Sequence, residues 1–162
     1  MQRLTAETAW TLLQAHLRKH ANVPDATVVL DIDDTVLRTE GRTVLPHPLG
    51  LRVYQEVQRL GLRLVYVTAR RENLLGRLWA MQQLHMLGVG SFQELRLMPS
   101  GTTNVQAYKT AQRAELAAIV LNMGDQWTDF APVNRPGGNG HYSWTVGEHE
   151  LCLKLPHALP RL

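Results

Sequence analysis

The chain has 162 residues, 44% of them hydrophobic, with seventeen Lys and Arg against fourteen Asp and Glu. That length supports one domain with a real core and excludes two, and a net charge of +3 favours anionic ligands without forming an obvious nucleic-acid tract. The single cysteine, Cys152, rules out an internal disulfide framework. With an opening that lacks an apolar signal core and no apolar run near the ~20 residues of a membrane span, it leads us to expect a cytoplasmic protein without membrane segments.

Thr5 can cap a first helix in which Ala6, Trp10, Leu13 and Leu17 share a face and which stops before Pro24, a packing helix over residues 1–22. "TVVLDI" follows as a buried strand, being short, β-branched and continuously apolar. Pro48 opens a helix with Leu49, Val53, Val57 and Leu60 on one face and Gly61 at its end. "LRLVYV" is the second buried strand. "ENLLGRLWAMQQLHML" is a helix ended by Gly88, and "LRLM" is a short third strand before Pro99. Asn104 caps a helix through "VQAYKTAQRAEL", and "AIVLNM" is a fourth buried strand running into Gly124 and Asp125. Residues 132–147 are Pro- and Gly-rich and are expected to form a surface loop near the site; "LCLKL" offers a last strand.

Strand and helix alternate throughout, and strands that are apolar without interruption are buried on both faces. The expectation is one α/β domain over residues 1–162: a three-layer, Rossmann-like parallel sheet flanked by helices.

Ligands of open parallel sheets bind beyond the carboxyl ends of the strands. The first strand ends in Asp31, Asp33 and Asp34, the second in Thr68, and the fourth in Asp125, with Asp129 a turn later; Lys109 lies on the preceding helix. Crowded carboxylates repel, and burying them is costly unless a cation joins them. Asp31, Asp125 and a backbone carbonyl offer hard oxygen ligands suited to Mg²⁺, and no Cys/His constellation favours zinc. The Thr68 hydroxyl and Lys109 ammonium suit phosphate oxygens.

"DIDDT" (31–35), "VTAR" (67–70), "YKTAQR" (108–113) and "GDQWTD" (124–129) stand in the order of the four motifs of the haloacid dehalogenase superfamily of phosphohydrolases. The chain resembles most closely its class B and plant acid phosphatases and vegetative storage proteins, with "LKLPHALP" resembling that group's C-terminal strand and tail. The resemblance implies a Mg²⁺-dependent phosphomonoesterase. Asp31 would be the nucleophile that becomes an aspartyl phosphate. Asp33 would be the proton carrier, with its main-chain carbonyl on the metal. Thr68 and Lys109 would hold phosphate, Asp125 would anchor Mg²⁺, and Asp129 would stand behind it. A nucleic-acid end or nucleotide phosphatase, a non-catalytic phosphate-binding relative and a phospho-accepting signalling domain are the competing readings.

Several residues carry a plainer reading beside the sharper one. Asp34 reads as a loop or solvated acid, Arg70 and Arg71 as anion contacts or salt bridges, and His16 and His20 as basic residues complementing a helix dipole. Trp127 and Trp144 read as packing aromatics and Cys152 as an inert core residue. No segment is long enough for a large cap domain, so the site should be open to its phosphorylated substrate. It would be covered, if at all, by 38–47, by 134–147 or by a second copy of the chain.

Overall fold

A computed structural model of the chain describes residues 5–126, 129–130, 142–147 and 149–156. Helix α1 (Ala6–His20) starts where the Thr5 hydroxyl accepts the Thr8 N–H. It buries Ala9, Leu13, His16 and Leu17 and leaves Ala6 exposed, so the packed face is turned from the one expected. His16 is a core residue, its Nε2 donating to the Val120 carbonyl at 2.7 Å, rather than a charge complementing the helix end.

Strand β1 (Thr27–Leu30) is wholly buried. Past it the chain forms a two-stranded antiparallel hairpin, β2 (Leu37–Glu40) and β3 (Thr43–Pro46), where only a polar connection was expected. Helix α2 (Pro48–Leu60) follows, capped by His47 Nδ1 and closed by Gly61 at φ +67°. Its Gly50 lies against the Thr35 carbonyl with no room for a β-carbon, which seats α2 directly on the loop after β1.

β4 (Arg63–Glu72), α3 (Leu74–Met86), β5 (Glu94–Pro99), α4 (Val105–Ala114) and β6 (Ile119–Gly124) complete the alternation. The segment expected as a loop over 132–147 contains a strand, β7 (Ser143–Val146), which pairs antiparallel with β8 (Leu151–Lys154); positions 131–141 lie outside the described residues.

The sheet runs β5-β4-β1-β6-β8-β7, parallel except for the edge strand β7. Val28, Leu30 and Ile32 point into a core shared with α1, α2 and α3, while Val29 joins Val65, Val67, Met98 and Tyr108 in a second core against α4. Alternation along one strand thus supplies both layers. The architecture is α/β, with helices on both faces of a mostly parallel sheet. Winding leaves β1 toward β4 and β5, then returns to β6 on its other side, so the switch point falls between β1 and β6.

Candidate active site

The switch point is where the acids gather. Asp31 continues the ladder of β1, its N–H donating to the Met123 carbonyl of β6 at 3.1 Å. Asp125 leaves the end of β6, and Asp129 folds back beneath it. Gly124 makes this possible, because a β-carbon there would collide with the Asp129 carboxylate. Asp129 is pinned on three sides: Oδ2 accepts the Gln126 N–H at 2.9 Å, its carbonyl accepts Asn122 Nδ2 at 2.9 Å, and Oδ1 accepts Lys109 Nζ. Lys109, carried by α4, also lies 3.2 Å from Asp31 Oδ1.

Asp31, Asp125 and Asp129 each offer an oxygen within 4.8 Å of the others. All four side chains are nearly inaccessible to solvent. Burial pushes the Asp31 carboxyl well above its ordinary range, the Asp129 and Asp125 charges push it further, and Lys109 opposes them. Burial works against the Lys109 ammonium, but Asp31 and Asp129 outweigh it and hold its pKa up. The raised Asp31 pKa marks an excess of negative charge where the carboxylates converge. The donor set, hard oxygens without nitrogen or sulfur, fits a small divalent cation such as Mg²⁺. Asp129, expected behind the metal, thus stands among the three acids able to hold one, whereas the Asp33 side chain does not.

Asp33 instead turns toward solvent and is clasped by Arg70, whose Nε and Nη2 donate to its two carboxylate oxygens at 2.9 and 2.7 Å. Arg70 Nη1 donates to Gln83 Oε1 of α3 at 2.8 Å, which fixes the guanidinium from behind. Of the two readings open for Arg70, the salt bridge is the one observed. Arg71 donates to the Thr102 carbonyl.

Thr68 is buried, but it does not end its strand as expected. Pairing of β4 with β5 jumps from Val67 opposite Arg96 to Arg71 opposite Met98, so residues 68–70 form a bulge within β4. A bulge re-aims side chains, and the Thr68 hydroxyl here accepts the Arg70 N–H at 3.2 Å. Asp34 adopts φ +56°, a turn position rather than a site one. Trp144 is exposed on the sheet edge, Trp127 lies outside the described residues, and Cys152 is half-buried, not fully in the core.

Lys154 was missed. It is fully buried on β8, its Nζ donating to the Leu155 carbonyl at 3.0 Å. Burial lowers its pKa while Asp125 and Asp129 raise it, which brings it within the field of the acid cluster. A lysine inside "LCLKL" was the signal: a cation in an apolar strand needs a buried partner.

A family model described as HAD superfamily, subfamily IIIB (Acid phosphatase), matches residues 40–159. The chain belongs to this family. Its phosphatase character agrees with acids and a lysine meeting at the strand ends. The match includes Thr68, Lys109, Asp125 and Asp129 and begins after Asp31 and Asp33. No individual curated protein matches the chain. No helix among the described residues is long and apolar enough to cross a membrane. Between Asp33 and Thr68 the chain inserts nothing larger than the β2–β3 hairpin before α2, consistent with a family member lacking a large cap.

Proposed function

We propose that this acid phosphatase family member is a Mg²⁺-dependent phosphomonoesterase that forms an aspartyl phosphate on Asp31. The observation that carries the reading is the buried meeting of Asp31, Asp125, Asp129 and Lys109 at the switch point. Asp31 and Asp125, with the Asp33 main-chain carbonyl, would hold Mg²⁺, and Asp129 is close enough to take part. The bound cation would neutralise charge on the phosphoryl oxygens.

The rest of the chemistry belongs to the side chains. An Asp31 oxygen attacks phosphorus; the new P–O bond forms as the bond to the leaving oxygen breaks, and Asp33 supplies that oxygen's proton. Asp33 then takes a proton from the attacking water, which displaces phosphate and restores the Asp31 carboxylate. Lys109, bonded to Asp31 Oδ1, fixes the rotation of the nucleophile and meets a phosphate oxygen along with Thr68. The Arg70 clasp aims Asp33 while it is ionised and must loosen when Asp33 carries a proton.

An aryl phosphate is the first test. Phosphate release should vanish in EDTA, return with Mg²⁺, and fall about 10⁴-fold or more in Asp31→Asn. Full activity in that variant would sink the reading, and absence of turnover by the native protein on any phosphate ester would favour a non-catalytic relative. The open site and +3 charge support a second reading, in which the phosphate lies on a nucleotide or nucleic-acid end; activity would then fall steeply with salt on oligonucleotide ends. We assign the protein to the cytoplasm on its single cysteine.

A further inference from the structure

Helix α3 packs backwards. Its inward contacts are made by the small Ala80 and by Leu84, while Leu74, Leu75, Leu78, Trp79, Met81 and Met86 face outward. Leu74, Leu75 and Met86 are 74%, 79% and 72% exposed, values expected of lysines rather than of the most apolar side chains on the helix. At 100° per residue Leu78, Gln82, Leu75, Met86 and Trp79 form one continuous strip opposite Ala80 and Leu84. The strip carries no charge. The single charged residue of α3, Arg77, is taken up by Glu72 through two hydrogen bonds of 2.9 and 2.6 Å.

We propose that this face of α3 is a homodimer interface, with the α3 helices of two copies packed antiparallel about a two-fold axis. The six outward side chains expose on the order of 800 Å², well beyond the patch a soluble monomer usually shows and close to the share each partner gives a standard interface. A helix of thirteen residues is about 20 Å long, enough for a full contact. Antiparallel packing sets Leu75 of one copy against Met86 of the other and Trp79 against Gln82, and because the strip is neutral it meets itself without repulsion. A lipid surface is the poorer occupant: helices that lie on membranes flank their apolar face with Lys and Arg, and α3 has only the paired Arg77.

The occupancy of this face is independent of the chemistry proposed at the strand ends, and the experiment reads mass. Sedimentation of the full chain over rising concentration should reach twice the 18.3 kDa of one copy. Leu75→Glu with Leu78→Glu should weaken self-association at least about 100-fold, while far-ultraviolet dichroism stays unchanged because both side chains are already exposed. Under mild oxidation Gln82→Cys should give a covalent dimer, and Gln55→Cys on the exposed side of α2 should not. A monomer at every concentration overturns the proposal, as does a dimer that the glutamates leave intact. Binding to phosphatidylcholine or phosphatidylserine vesicles without self-association would assign the face to lipid and also overturn it.

Discussion

At the ends of β1 and β6, three carboxylates and a lysine are shut away from solvent; on α3, six large apolar side chains stand in it. Each region reverses the ordinary sorting of residues, and each implies a missing partner of a different kind. The acid cluster is compensated from within by Lys109, incompletely, and the shortfall is one of positive charge. The α3 face has nothing to compensate, because exposed apolar groups cost little individually; its shortfall is of area. A small cation answers the first and a protein surface the second. Reversed burial therefore reports not only that something binds but what chemistry it brings.

The contrast is broken most sharply at Lys109. In Lys109→Met, Asp31 and Asp129 lose the cation they share, and removing one partner of a buried ion pair costs about 3–5 kcal/mol. Chemical denaturation at neutral pH should show this loss, and Mg²⁺ should recover part of it. Adding Asp129→Asn to the same chain should recover part as well, since one of the orphaned charges is gone. A loss under about 1 kcal/mol would mean that Lys109 does not hold the cluster together.

On α3 the same reasoning predicts an inequality between two leucines. Leu84→Ala, at a fully buried position, should cost about 2–5 kcal/mol of folding stability. Leu78→Ala, more than half exposed, should stay within about 0.5 kcal/mol in dilute protein, where self-association does not contribute. Comparable costs for the two would show that the outer face is packed within a single copy, contrary to its exposure in the fold.

How these regions read in sequence follows from the kind of signal each leaves. Thr5, Pro48, Gly61 and Asn104 marked helix ends through local backbone chemistry, and the structure uses each of them at or next to the expected cap. Asp31, Lys109, Asp125 and Asp129 were legible because an apolar strand seldom tolerates acids at its end unless they bind or react, and the fold gathers them. The β2–β3 hairpin hid in a polar stretch, and β7 in a Pro- and Gly-rich one, because each is held by its pairing partner rather than by its own composition. The bulge at Thr68 depends on register with β5, which no single segment encodes. The outward face of α3 was illegible for the opposite reason: leucines, tryptophan and methionines at helical spacing read as core, and only the fold reveals that Ala80 and Leu84 already fill the inward side.

His47 is a milder case of a polar group held inside, and it sharpens the contrast because its partner is a backbone amide. Its Nδ1 accepts the Gly50 N–H at the start of α2, which requires the neutral ring. Burial, aided by the nearby Arg38 charge, lowers its pKa from 6.5 to about 4. Between these values the unfolded chain binds a proton that the folded chain refuses, so stability rises with pH. The contribution is complete above about 6.5 and is lost as pH falls toward about 4, a change of about 1–3 kcal/mol. His47→Asn retains an acceptor at the cap without a titrating group. Denaturation midpoints measured across that window should fall faster on acidification for the native protein than for the variant. Parallel curves would show that His47 is free to protonate in the folded state, and that the cap on α2 does not depend on a neutral imidazole.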